Sequence, residues 1–114
     1  MVKILFGIVV LLLSFPVNLS ANIFASGITV TYNGTFPATI GYFLNENASS
    51  VRVIIKEWPG LAAKKTFSRV RPQTGTTLGL NEVVWDGSFD GGGSASGGTY
   101  VIEINASNSV GHTN

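Results

Sequence analysis

The sequence contains no cysteine, a single histidine and few charged residues. Its 114 residues include seven Lys and Arg and six Asp and Glu, for a formal net charge of +1. Without cysteine there is no disulfide framework, thiol nucleophile or zinc-thiolate site, and His112 alone leaves little room for a Ser-His-Asp triad or a histidine metal site. The near-neutral balance also lacks the clustered basic face that nucleic-acid binding requires.

What the chain has instead is glycine, small polar residues and β-branched residues. Glycine occupies 14 positions, and Ser, Thr and Asn separate short apolar stretches. Small polar residues and glycines between short apolar stretches are typical of turns between strands rather than of helices. The composition therefore indicates an all-β extracellular module.

The first segment has the order of a secretory signal peptide. Lys3 precedes an unbroken apolar run, Ile4–Leu13, and small residues follow at Ser20, Ala21 and Ala25. A membrane-spanning helix needs about 20 apolar residues, twice the length of this run, which makes an uncleaved anchor the weaker alternative. We predict a signal peptide over residues 1–25, cut after Ala21 or, preferably, after Ala25, and hence a secreted or cell-surface protein with no membrane span after cleavage.

The remaining chain alternates apolar and polar residues with the period of half-buried strands. No stretch shows helical apolar spacing, and turn signals lie between the alternating stretches. The pattern predicts an antiparallel β-sandwich over residues 26–110, with residues 111–114 as a tail or the start of a linker. Six strands are expected, at about 28–32, 38–44, 51–56, 64–70, 80–85 and 100–106, the fourth being a solvated edge.

The second half of the chain has an ordered series of motifs. The stretch VRVIIKEW leads through a Pro-Gly turn to KKTFSRV, a Gly-x-Asn step and V-x-W-D-G at 83–87, and then come Asp90 and a Gly-Thr-Tyr step at 98–100. Residues 51–106, about half of the chain, resemble the immunoglobulin-like domain of the flagellar hook-capping protein FlgD and its relatives in secreted bacterial proteins. This resemblance implies an immunoglobulin-like or fibronectin-III-like fold and a non-catalytic role.

Two departures from that family bear on function. The hairpin after Trp85 (GGGSASGG) is richer in glycine than the family pattern, and the module follows a signal peptide, which a flagellar cap protein does not have. Hook capping is therefore not expected. The motif residues themselves have structural explanations. Trp85 supplies a large aromatic body for the core, and Tyr100 can bury its ring. Asp86 can accept hydrogen bonds that fix the turn after the strand, and Gly87, Gly91 and Gly98 permit positive φ. Asp90 belongs to the same structural family motif.

Three residues of the motif imitate the start of a calcium loop. Asp86, Ser88 and Asp90 follow the D-x-S-x-D-G pattern, but position 12, which should be a bidentate acid, is Gly97, and no flanking helices are predicted. They are weak metal candidates, and turn formation is the preferred interpretation. No cofactor is expected. No nucleophile, base and orienting group can be assembled, so the protein is predicted not to be an enzyme.

Trp58 in a Trp-Pro-Gly turn is the feature most suggestive of binding. An exposed aromatic ring can stack on a sugar or anchor a partner, although the preferred interpretation is that Trp58 covers one end of the core. The main functional prediction is a non-enzymatic, secreted structural or interaction module, the N-terminal part of a longer extracellular protein. Its partners would be other domains of that polypeptide or extracellular proteins. The alternative is a carbohydrate-binding module with Trp58 and Tyr32 or Tyr42 as the platform.

Overall fold

The computed structural model describes residues 8–9, 23–95 and 97–108, and within them every regular element is a strand. The strands are β1 (Ile8–Val9), β2 (Ala25–Thr31), β3 (Ala38–Leu44), β4 (Ser50–Glu57), β5 (Ala63–Val70), β6 (Gly79–Trp85) and β7 (Tyr100–Ser107). No helix long and apolar enough to cross a bilayer occurs in this part of the chain.

Strands β2, β3 and β6 form an antiparallel sheet with β3 in the centre. The pairing of β3 with β6 is continuous from Ala38 opposite Trp85 to Leu44 opposite Gly79. Because side chains alternate across a strand, Ala38, Ile40 and Leu44 all lie on one buried face. The pairing of β2 with β3 is interrupted between Ser26 and Thr29 by a shift in register.

The second sheet has the order β1-β7-β4-β5. Strand β4 lies between β5 and β7 and pairs antiparallel with both. The prediction that KKTFSRV forms an edge strand is confirmed, because β5 is the last strand of this sheet among the described residues. At the other end, Ile8 and Val9 pair in parallel with Tyr100 and Val101 of β7.

The inner faces of the two sheets enclose a single apolar core, an arrangement compatible with a β-sandwich. The largest side chains with almost no exposed surface are Trp85, Tyr42 and Ile40 from the first sheet and Ile55, Ile102 and Ile104 from the second. Core residues thus alternate along strands of both sheets, which is what the period-2 pattern predicts.

The six predicted strands are confirmed to within a few residues, and the differences concern the N-terminal side. Strand β2 begins at Ala25, and Ile23 and Ala25 are both part of the core cluster. The predicted domain start at residue 26 therefore falls inside β2. Strand β1 was not predicted, because it lies in the segment assigned to the signal peptide; the rest of that segment, except the residues from Ile23 onward, lies outside the described residues.

Candidate functional site

The centre of the V-x-W-D-G motif is a cluster of aromatic rings in the core. The ring of Trp85 meets those of Phe36 and Tyr100 edge to face, at centroid distances of 5.1 and 5.8 Å. Phe89 stacks on Trp85 at 6.5 Å. The indole N–H of Trp85 donates to the carbonyl oxygen of Ser88 at 2.9 Å, which satisfies its only polar group. As predicted, Trp85 lies in the core between the sheets and the Tyr100 ring is buried; their contact joins β6 of one sheet to β7 of the other.

Asp86 fixes the turn that leaves β6. Its Oδ1 accepts hydrogen bonds from the backbone N–H and the hydroxyl of Ser88, at 2.9 and 2.7 Å. These two bonds stabilise the charged form and lower the pKa of the Asp86 carboxyl. The side chain thus serves as a local acceptor in a two-residue turn, the role that the sequence predicts for it.

Only glycine suits position 87, because its backbone has a positive φ and a side chain there would collide with a neighbour. Its φ is 94°, and a Cβ at this position would lie 2.9 Å from Cδ2 of Phe36. The prediction for Gly91 is wrong, because positive φ falls instead on the next two residues, Gly92 and Gly93. A hydrogen bond from the N–H of Gly92 to the carbonyl of Phe89 closes that turn. Gly98 lies at the end of the loop, two positions before β7.

Asp90 attaches the same loop to the edge strand of the other sheet. Its backbone N–H donates to the carbonyl of Lys64 at 2.8 Å, and its Oδ2 accepts from the N–H of Thr66 at 2.8 Å. Its Oδ1 lies 3.2 Å from Nζ of Lys65. The hydrogen bond from Thr66 and the ammonium of Lys65 together lower the pKa of the Asp90 carboxyl. The loop therefore bridges β6 and β5.

The carboxylates of the calcium candidates Asp86 and Asp90 take part in these hydrogen bonds and this ion pair. Asp86 bonds to Ser88 within its own turn, whereas Asp90 bonds to Lys65 and Thr66 on β5. Among the residues that the structure describes, no three His, Cys, Asp or Glu side chains lie together in a group that could hold a metal ion. The geometry of these side chains is that of turn and edge-strand hydrogen bonding.

Trp58 lies at the tip of the β4–β5 hairpin and is 48% exposed. It is not part of the core cluster, so the interpretation that it covers one end of the core is wrong. Its backbone N–H donates to the carbonyl of Thr99 at 2.9 Å, which fixes the hairpin against the β6–β7 loop. Leu61 on the same tip is also exposed and has a φ of 62°, a conformation that costs a leucine about 1–2 kcal/mol.

Tyr32 and Tyr42 are buried. Neither can form part of a sugar-stacking platform with Trp58, and that expectation is wrong. Tyr42 has a different use: its hydroxyl donates to the carbonyl of Gly75 at 2.8 Å and so holds the β5–β6 loop from inside the core. Burial raises the pKa of Tyr42 to about 12.

The outer face of the three-stranded sheet was missed by the sequence reasoning. Phe43, Leu80 and Val84 are 48%, 58% and 56% exposed. Phe43 is opposite Leu80 in the ladder, and Val84 is four residues further along β6, so all three lie on one face. The signal was present in β6, where apolar residues occupy both faces of the alternation. Glycines 27 and 41 lie close beneath the side chains of Phe43 and Leu80 and leave this face flat.

No family model, no curated protein and no solved structure matches this chain.

Proposed function

We propose that this protein is a non-catalytic immunoglobulin-like module of the FlgD type, exported to the cell surface or beyond, where it serves as a structural and interaction domain. Two sheets around one core support this fold assignment. The motif residues support a structural role, because Trp85 fills the core while Asp86 and Asp90 hold the β6–β7 loop. Its partners are other domains of the same, longer polypeptide or extracellular proteins.

The observation that carries the interaction role is the apolar outer face formed by Phe43, Leu80 and Val84. Each side chain has about half or more of its surface exposed. Exposed apolar residues are ordinary when they are scattered. Here Phe43 and Leu80 are opposite each other in the ladder and Val84 lies on the same face, and such a group on a flat sheet favours contact with another protein surface. Glu82 lies between Leu80 and Val84 on the same face and supplies a charge that would orient a partner.

Site-specific photo-crosslinking tests this role. A photoreactive phenylalanine analogue at Leu80 should give a discrete adduct when the full-length protein is incubated with the extracellular fraction of its source cells. The same analogue at Ser68, an exposed position on β5 of the other sheet, is the matched control. The adduct at position 80 should be lost in Phe43→Ser. Equal adducts at both positions, or none at position 80, would contradict the proposal.

A second candidate is carbohydrate binding through the hairpin tip. The exposure of Trp58, with Leu61 held beside it in a left-handed conformation, favours this alternative because strained, exposed residues concentrate at functional sites. Glycan-array binding that disappears in Trp58→Ala and persists in Phe43→Ser would establish it. Absence of glycan binding by the unsubstituted protein would contradict the carbohydrate-binding alternative.

A further inference from the structure

The hairpin tip between β4 and β5, residues 58–62, is an exposed apolar segment at one end of the two sheets. Its sequence is WPGLA, and all five residues are exposed. Trp58 and Leu61, the two large side chains, are 48% and 42% exposed. None of the five is charged, and the indole N–H of Trp58 is the only hydrogen-bonding group among their side chains. The tip therefore presents apolar surface with almost no polar side chain beside it.

The backbone of the tip needs few hydrogen bonds from water. The N–H of Trp58 donates to the carbonyl of Thr99 at 2.9 Å, and the N–H of Leu61 donates to the carbonyl of Glu57 at 2.6 Å. Pro59 has no N–H to satisfy. Unpaired backbone groups are what makes a loop costly to transfer out of water. Because these groups are already paired, the tip can enter an apolar phase at a small cost.

The conformation of Leu61 also indicates a use for its side chain outside the fold. Its φ is 62°, a left-handed conformation that glycine adopts without strain and leucine does not. The side chain is exposed and does not belong to the core cluster, so burial in the core does not compensate the strain. Strained residues of this kind concentrate at functional sites.

The charges at the base of the tip are compensated. Nζ of Lys64 lies 3.8 Å from the carboxylate of Glu57, and Nζ of Lys65 lies 3.2 Å from that of Asp90. The base therefore favours neither an anionic nor a cationic partner. A sugar would need several hydrogen-bonding side chains next to the stacking ring, and the tip offers only the indole N–H of Trp58. These features fit a lipid surface better than a sugar.

We propose that the hairpin tip is a membrane-contact site, which inserts Trp58 and Leu61 into the interfacial region of a zwitterionic phospholipid bilayer. The amphipathic indole ring suits the level of the headgroups, with its N–H towards water. The binding free energy comes from the apolar area that the bilayer covers. This contact does not use the outer face formed by Phe43, Leu80 and Val84, so one domain can hold a protein partner and contact a membrane.

Fluorescence quenching by brominated lipid tests contact at the tip itself. The full-length chain is mixed with vesicles of phosphatidylcholine brominated along its acyl chains, which quench a tryptophan that lies next to them. Trp58 should be quenched, whereas Trp85, which is 1% exposed, should not. The Trp58→Phe variant should therefore keep its emission. The readout has to be local because the apolar run Ile4–Leu13 of the full-length chain is expected to bind vesicles by itself.

The variants Leu61→Gly and Phe43→Ser form a matched pair. Leu61→Gly keeps Trp58 and relieves the backbone strain, so it should raise the urea midpoint of unfolding and yet weaken vesicle binding, measured by quenching, roughly tenfold. A purely structural role would move stability and binding in the same direction. Phe43→Ser removes a ring with the same 48% exposure from the sheet face and should leave the quenching unchanged.

Four results would overturn the proposal. They are no quenching of the unsubstituted chain, equal quenching in Trp58→Phe, unchanged binding by Leu61→Gly, and equal weakening by Leu61→Gly and Phe43→Ser. Quenching that requires phosphatidylserine and disappears with added salt would overturn the assignment to a zwitterionic surface, because the lysines would then carry the binding. Glycan binding through Trp58 without any quenching would assign the tip to carbohydrate instead.

Discussion

At the scale of single residues, Tyr42 shows how one polar group in the core fixes a loop. Its ring is fully buried, and its hydroxyl donates to the carbonyl of Gly75. A Cβ at Gly75 would lie 2.9 Å from that hydroxyl, so the loop approaches the core as closely as a glycine allows. Burial favours the neutral phenol and raises its pKa to about 12. The free energy of unfolding should therefore fall at alkaline pH, where Tyr42 ionises more readily in the unfolded chain than in the folded one.

The substitution Tyr42→Phe should lower the free energy of unfolding by about 1–2 kcal/mol at pH 7, because a buried carbonyl loses its donor. The unfolded chain ionises Tyr42 near its ordinary pKa of 10.0 and the folded chain only near 12. The stabilisation is therefore complete below pH 10 and is lost as the pH rises towards 12. By pH 11 the unsubstituted protein should have lost about 1.4 kcal/mol relative to Tyr42→Phe. Urea titrations of both proteins measure this difference, and parallel pH profiles would contradict it.

The two tryptophans provide a matched pair of substitutions. Trp85→Ala should destabilise the fold by about 3–5 kcal/mol, because it empties the centre of the aromatic cluster. Trp58→Ala should change stability by about 0.5 kcal/mol or less, because its ring is on the surface of the hairpin tip. Thermal unfolding of both variants, followed by circular dichroism, is the measurement. Similar losses in the two variants would show that the assignment of core and surface is wrong.

Residue roles could be predicted where the signal is local. The turn made by Asp86 and the burial of Trp85 follow from neighbouring residues and from alternation along β6. The contact of Asp90 with Thr66 could not be predicted, because it joins positions 24 residues apart that only the packing of the two sheets brings together. For Tyr42 the alternation along β3 already indicated the core, and the idea of a sugar platform disregarded that pattern.

At the scale of elements, the β6–β7 loop is the main device that ties the two sheets at one end. It begins with the Asp86 turn, contacts β5 through Asp90 and receives the N–H of Trp58 at Thr99. An isolated bridge between Ser88 and Ser94 closes it internally. The loop is long and rich in glycine because it has to turn sharply next to Phe36 and then cross to the opposite sheet.

Two glycine substitutions, one at Gly87 in this loop and one at Gly34 between β2 and β3, separate backbone strain from crowding. Gly87→Ala and Gly34→Ala both place an alanine at positive φ, 94° and 109° respectively. Only at Gly87 would the new Cβ meet the ring of Phe36, whereas Gly34 has no atom within 4 Å. We expect Gly34→Ala to cost about 1 kcal/mol and Gly87→Ala about 1–3 kcal/mol more. Equal losses, measured by chemical denaturation, would show that Phe36 does not constrain the loop.

At the scale of the whole molecule, the N-terminal boundary of the folded unit matters most. Ile23 and Ala25 belong to the core cluster, and the N–H of Phe24 donates to Oδ1 of Asn45. A cut after Ala25 would remove Ile23, Phe24 and Ala25, whereas a cut after Ala21 would keep them. The packing therefore favours cleavage after Ala21 over the initially preferred cleavage after Ala25.

We predict that the exported protein begins at Asn22. Intact mass and N-terminal sequencing of protein secreted by its source cells provide the measurement. A chain that begins at Ser26 would contradict this prediction and would imply that the core forms without Ile23. The matched control is a chain with Ala21→Arg, which should be cut elsewhere or remain uncut, because a large charged residue replaces the small one at the cleavage position.

Much of the architecture could be predicted because turn residues and period-2 alternation are strong local signals. Six strands, the edge position of β5 and the inner faces of both sheets follow from them. Apolar residues on both faces of β6 already indicated that Leu80 and Val84 are exposed. Their position beside Phe43, and the pairing of Ile8–Val9 with β7, could not be predicted, because both depend on which strands become neighbours.

The proposed function depends on two sheets that pack around Trp85 and on a structural role for the motif after it. Nuclear Overhauser spectroscopy of the isotope-labelled full-length chain measures both. We expect backbone contacts between Ile40 and Val83 and between Ile55 and Ile102, which are opposite each other in the ladders, together with ring contacts from Trp85 to Tyr100 between the sheets. Helical sequential contacts over these strands, or a Trp85 ring without any contact to Tyr100, would contradict it.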